Sequence, residues 1–88
     1  MDNVKIFVFL NKEILISQVE EVGSELGEPD CKLVLPYSVK RNSEINYTLE
    51  PWLTDYTDQN YVMIHSDKIL TIIDPKNDIL EKYKLIIK

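Results

Sequence analysis

Cysteine, glycine and histidine are scarce in this 88-residue sequence: it holds one, two and one of them. A single cysteine, Cys31, excludes an intrachain disulfide and any multi-cysteine metal site. No apolar run approaches the ~20 residues of a membrane span, so no membrane partner is expected. The opening Met1-Asp2-Asn3 lacks the basic region of a secretory signal, and a cytoplasmic location is the expectation. Basic residues are outnumbered, 10 Lys+Arg against 15 Asp+Glu, for a formal charge of −5. That balance argues against a generally basic nucleic-acid binder. No P-loop, glycine-rich phosphate cradle, histidine metal cluster or Ser/His/Asp set can be assembled, so neither enzymatic activity nor a cofactor is expected.

The remaining composition is that of an ordinary globular chain, 44% hydrophobic and 28% charged, and the length fits one domain spanning residues 1–88. A chain of this size should expose about 5,400 Å² when folded, from about 15,000 Å² unfolded. Such a core is marginal without a disulfide or metal, and small scaffolds in that position often gain stability by oligomerising.

Alternation of apolar and polar residues predicts strands over about 4–10, 13–22, 32–39, 44–53, 61–64 and 69–73. The first carries apolar residues on both faces (Val4, Ile6, Val8 and Leu10 against Phe7 and Phe9), as for a strand covered on two sides. Asn11-Lys12 reads as a tight turn, with Asn11 suited to positive φ. Residues 23–30 hold both glycines, Pro29 and three acids, and read as a loop. In the third strand Leu33, Leu35, Tyr37 and Val39 form one face. Pro36 removes a ladder donor, which predicts an edge or a bulge. Ile45, Tyr47 and Leu49 alternate with polar neighbours in the fourth. After the last strand, Asp74 as N-cap and Pro75 at the first helical position open a helix over about 75–87. Its apolar stripe is Ile79, Leu80, Tyr83, Ile86 and Ile87, which must dock on the sheet. Strands joined by short turns and followed by one helix predict a mainly β fold: a small, open, five-stranded antiparallel barrel with a short C-terminal helix.

The pattern resembles the Sm-like small-barrel superfamily, which includes the Sm/LSm ring proteins and the bacterial host-factor RNA chaperone. The nearest resemblance is to short Sm-like proteins of marine cyanophage-type viruses, a setting that would place the chain in host cytoplasm. The resemblance rests on three stretches. These are Val4–Phe7 with Glu13–Val19, the segment Pro51-Trp52-Leu53, and Ile69–Lys76 leading into Ile79, Leu80 and Tyr83. The second Sm motif aligns with Ile64–Ile72, where Ile64, Ile69 and Ile72 keep the aliphatic frame.

The resemblance implies a cyclic homo-oligomer of about five to seven subunits, joined head to tail through Tyr61, Val62, Met63, Ile64, Ile69, Leu70, Thr71 and Ile72. It also implies that His65, Ser66, Asp67 and Lys68 face a central pore where single-stranded RNA would bind. The sequence departs from the family at that place. Ser66 stands for the usual glycine, Ser66-Asp67 matches the RNA-contacting Lys-His pair of the bacterial chaperone, and Lys12 replaces the turn glycine of the first motif. The Asp-x-x-x-Asn nucleotide element has no equivalent after Val22. The resulting expectation is a ring-forming protein with RNA binding inherited from the fold. The alternative is a protein-interaction or structural ring that has lost it.

Other chemistry-bearing residues have simpler readings. A lone turn histidine is ordinarily solvated or locally hydrogen-bonded. Cys31 has no partner base nearby in sequence and reads as an incidental thiol. Glu20, Glu21, Glu25, Glu28 and Asp30 lack EF-hand spacing and read as a solvated acidic stretch. Trp52, Tyr47, Tyr56 and Tyr61 are candidate base-stacking platforms, but aromatics at strand spacing more often pack in a core or interface. Lys40, Arg41, Lys76, Lys82, Lys84 and Lys88 are the basic clusters, read as solubilising surface.

Overall fold

The computed structural model describes residues 3–44 and 46–88. Met1, Asp2 and Ile45, the last assigned above to the fourth strand, lie outside the described residues. The chain folds into β1 (Val4–Phe9), β2 (Ile14–Glu21), β3 (Cys31–Arg41), β4 (Tyr47–Pro51), β5 (Tyr61–Ile64), a single 3-10 turn (Ser66–Lys68), β6 (Ile69–Ile73) and α1 (Asn77–Ile87). The fold is mainly β, with an open antiparallel sheet and one short C-terminal helix. The sheet runs β4-β3-β2-β1-β6, with β5 also paired to β3. No helix among the described residues is long and apolar enough to cross a membrane.

The six strands occupy five positions across the sheet, because β3 takes two partners on one side. Its residues 37–41 pair with β4 and its residues 31–34 pair with β5, so β4 and β5 lie end to end along one edge. Between them β3 kinks. Leu35 takes a left-handed φ of 54°, and pairing with β2 shifts between Ile16 and Gln18. A left-handed backbone at a branched L-residue is unfavourable by about 1–2 kcal/mol, and surrounding bonds hold it. The Leu35 amide donates to the Asn60 carbonyl at 2.7 Å, and the Trp52 amide donates to the Pro36 carbonyl at 3.1 Å. Pro36 therefore marks a bulge and not an edge, because β3 is paired on both sides.

The bulge also changes which face each residue occupies, since one extra residue inverts the alternation beyond it. Leu33 joins Phe7, Phe9 and Leu15 in one buried cluster, packed by Val19, Trp52, Val62, Ile64 and Ile69. Tyr37 and Val39 instead pack on a second cluster of Val4, Ile6, Ile16, Leu49 and Tyr83. The single face expected for Leu33 through Val39 is thus split between the inside of the curled sheet and the layer beneath the helix. β1 is covered on both faces, as its two apolar registers require.

The helix begins later than expected. Asp74 does not cap it. The Asp74 carboxylate instead pairs with the Lys5 ammonium on β1, and the N-cap is Lys76, without a side-chain cap. Pro75 therefore sits before the helix rather than at its first position. Ile79, Leu80, Tyr83 and Ile87 dock on the sheet, whereas Ile86 is turned out, 42% exposed. Tyr83 is fully buried, edge-on to Tyr37. Its hydroxyl donates to the Leu35 carbonyl at 2.8 Å and lies 3.3 Å from that of Val34. The helix therefore clamps the kink in β3.

Smaller differences are confined to ends and turns. β3 runs on through Lys40 and Arg41, so the reversal into β4 starts at Asn42 rather than at Lys40. Leu10, Trp52 and Leu53 lie past the ends of their strands. In the first hairpin the positive φ falls on Lys12, at 70°, while the Asn11 side chain accepts from the Glu13 amide at 3.0 Å.

Candidate functional site: two free strand edges and the turn between them

β5 and β6 each have one neighbour. β5 pairs with β3 and β6 pairs with β1, and among the described residues no strand pairs with their outer edges, where the Gln59 side chain donates to the Tyr61 carbonyl at 3.2 Å. Neither strand carries a charged residue or a proline, the usual devices that blunt an edge. Of the eight residues expected at a subunit interface, Val62, Ile64 and Ile69 pack against their own chain's core. Tyr61, Met63, Leu70, Thr71 and Ile72 are exposed. Ile72 is instructive. It stands opposite Phe7, and directly paired antiparallel residues share a face, so it points to the inner side of the sheet. Phe7 there is fully buried, yet Ile72 is 49% exposed, because the sheet stops at β6.

The 3-10 turn joining the two edges carries the four residues expected to face a pore. His65 is half-buried, and Ser66, Asp67 and Lys68 are exposed. The Lys68 amide closes the turn on the His65 carbonyl at 3.1 Å. Ser66 is engaged elsewhere: its amide and its hydroxyl both donate to the Asp30 carboxylate, at 2.8 and 2.6 Å. The Asp30 amide in turn donates to the Ile64 carbonyl at 3.2 Å. The Ser66 hydroxyl, followed by its amide, holds the Asp30 carboxyl below its ordinary range. This latch binds the acidic 22–30 loop to the turn across 36 positions. No local sequence signal reports it, since Asp30 reads only as one acid among several.

The latch gives the turn an acidic setting. Glu25, Glu28, Asp30 and Asp67 surround an open depression with His65 and Ser66. Beside it, and sharing His65, runs a more apolar groove along Phe9, Leu10, Trp52 and Met63. Trp52 stacks on Phe9, with ring centroids 6.1 Å apart, so its ring is committed partly to the core.

The remaining candidates are dispersed. Cys31 is buried, and burial, with the nearby Asp30 and Glu21 charges, pushes its thiol upward, away from the reactive thiolate. Tyr61 lies under the Lys32 ammonium, 4.8 Å from its ring centroid. Tyr47 lies under Lys82 in the same way, at 4.9 Å, and Tyr56 is exposed. Arg41 is occupied by the Ser43 and Glu44 carbonyls of its own turn. Among the described residues no three His, Cys, Asp or Glu side chains converge to hold a metal ion.

The pattern of a family of unknown function (DUF6561) fits residues 2–88. No curated protein matches the chain.

Proposed function

The chain belongs to the DUF6561 family, and we propose that it is a self-assembling scaffold. Copies join head to tail through the free edges of β5 and β6 into a closed ring of Sm-like type, and the ring engages protein rather than RNA. The observation that carries this reading is the pair of unblunted edges with Tyr61, Met63, Leu70 and Ile72 exposed along them. Pairing the β5 edge of one copy with the β6 edge of the next is heterologous, and such contacts close into a ring when the rotation permits. The strand order supports it. β3 is bent, its second edge is shared by β4 and β5, and β6 returns to β1, so the free edges of β5 and β6 lie at opposite ends of the sheet, as head-to-tail pairing requires.

Surface area supports it too. The isolated chain exposes 6216 Å², about 800 Å² more than a monomer of its mass ordinarily does. A copy in a head-to-tail ring takes part in two interfaces of about 800 Å² per partner each, so the excess corresponds to one of the two.

The preference for protein over RNA rests on the turn. Its Ser66 donors are spent on Asp30, and the carboxylates around it repel phosphates, while Lys68 alone opposes them. Each added subunit also adds −5 to the assembly, which weakens any long-range attraction for a polyanion.

Light scattering on a size-exclusion column tests the assembly. An integral multiple of the protomer mass is expected for the native chain, and a monomer for Ile72→Lys and Met63→Lys. A native mass that stays monomeric at every concentration would overturn the ring. Titration with labelled uridine-rich and adenine-rich RNA tests the second half. No binding is expected at low salt. Tight, salt-sensitive binding that falls in Lys68→Ala would restore the RNA reading.

A further inference from the structure

Charge is distributed unevenly along this chain. Residues 20–30 contain five acids (Glu20, Glu21, Glu25, Glu28 and Asp30) and no base, so this short stretch alone accounts for the formal charge of −5. The remainder of the chain is balanced, with ten acids and ten bases. At the apex of the stretch sits Leu26, fully exposed between Glu25 and Glu28. Gly27, with φ of 88°, turns the chain there. An apolar side chain is thus held out to solvent within an acidic collar.

The opposite arrangement occurs on the helix. Residues 76–88 carry four lysines and two acids. Leu85 is 72% exposed and Ile86 is also exposed, and both are flanked by Lys84 and Lys88. Lys84 makes only a 3.7 Å contact to Glu81 one turn back, a surface pair of little energetic value. No ion pair among the described residues joins this helix to the 20–30 stretch of the same molecule.

We propose that these two surfaces are partners: the Leu85–Ile86 end of one copy's helix docks on the Leu26 loop of another copy. Each surface offers an exposed apolar centre with a charged rim, and the two rims have opposite sign. Apolar burial supplies the attraction, while the complementary charges select the partner and speed encounter. The occupant is a second copy because this chain itself carries the basic apolar element that the acidic apolar loop calls for. The contact uses neither β5 nor β6. It is distinct from the edge pairing proposed above, although Leu26 lines the depression beside the His65–Asp67 turn, and it would join rings to one another, or single chains if the edges do not pair.

Sedimentation velocity on the full chain tests this at about 50 mM and about 500 mM salt, where the screening length falls several-fold. Ile72→Lys serves as the background in which edge pairing is removed. Concentration-dependent association is expected there at low salt, weakened roughly tenfold or more at high salt. Leu26→Asp and Leu85→Asp, at exposed positions that leave the core untouched, are each expected to abolish it. Lys84→Glu/Lys88→Glu in the helix and Glu25→Lys/Glu28→Lys in the loop are each expected to abolish it as well, and the chain carrying all four reversals to regain it. Association that is insensitive to salt, or that survives Leu26→Asp, would overturn the proposal. So would failure of the four-fold reversal to restore association while circular dichroism shows a native fold. A failed ring with intact salt-sensitive association, or the converse, separates the two proposals.

Discussion

The Tyr83 hydroxyl is the most consequential single atom group that the sequence pattern does not announce, and removing it tests the account of the fold. Tyr83→Phe keeps the buried ring and its edge-on contact with Tyr37. It deletes the donor to the Leu35 carbonyl, 2.8 Å away. The Val34 carbonyl lies farther off, at 3.3 Å, so the loss falls chiefly on Leu35, the left-handed residue of the kink. An acceptor left unsatisfied in a buried setting costs about 1–3 kcal/mol. Leu35 is half-buried, which places the expected loss at the lower end, about 1–2 kcal/mol. For a domain of this size that is a fall in Tm of roughly 4–16 °C. Urea denaturation at fixed protomer concentration measures it, because any assembly makes stability depend on concentration. The midpoint should fall with the slope unchanged, showing lost stability rather than a changed unfolded state. Tyr83→Ala should cost more, about 3–5 kcal/mol, since it also empties the ring's site. Equal stability of Tyr83→Phe and the native chain would refute the claim that this hydroxyl clamps the kink.

Two further outcomes follow from the turns. Lys12 holds φ of 70° in an exposed hairpin, so Lys12→Gly should stabilise the chain by about 0.5–1 kcal/mol, strain relief outweighing the entropy glycine adds to the unfolded state; a lower melting temperature would contradict it. The Asp30 carboxyl is held below its ordinary value of 3.8 by the Ser66 hydroxyl and amide, so its stabilising effect is complete above that value and is lost as pH falls through the lower folded-state pKa. Carboxyl-resolved NMR titration should therefore find its midpoint below 3.8 in the native chain and closer to 3.8 in Ser66→Ala; identical midpoints would dismiss the latch.

Much of the architecture was legible because it rests on local pattern. The six strand segments, the acidic loop and the docking helix each follow from periodicity or from glycine and proline placement, and each lies within a few residues of where the pattern put it. The failures share one physical cause, which is that a distant partner overrides a local preference. Asp74 has the chemistry of an N-cap, but the Lys5 ammonium across the sheet claims it. Pro36 fits an edge or a bulge equally well by chain chemistry, and only the presence of β4 and β5 along the same side of β3 selects the bulge. The alternation from Leu33 to Val39 is unbroken in the sequence, so nothing local signals that Leu35 inverts it. The bonds that hold the inversion come from distant partners, the Asn60 carbonyl and the Trp52 amide and the Tyr83 hydroxyl, arriving from 48 positions away.

Tyr61–Ile64 and Ile69–Ile73 are proposed as assembly elements because an apolar strand without charge is a liability unless a partner covers it. In the folded chain Tyr61, Met63, Leu70, Thr71, Ile72 and Ile73 remain exposed. The His65–Lys68 turn was legible only as a place where an RNA site would lie if the resemblance carried over whole. Its chemistry depends on Asp30, which enters from the far end of a loop and consumes both Ser66 donors. A carboxylate there reverses the sign of the site toward phosphate, while leaving the strand edges untouched. On the proposed reading, such a fold would keep its means of assembly and change what the assembly binds, with Asp30 the first position to test. Asp30→Asn tests that point directly. It removes one negative charge from the mouth and keeps a side-chain oxygen that can still accept from Ser66, so assembly mass should be unchanged. If RNA binding appears in Asp30→Asn at low salt and is absent from the native chain, the carboxylate is what bars it. If neither chain binds RNA, the bar lies in the wider acidic loop, and Glu25→Lys/Glu28→Lys becomes the variant in which to look for it.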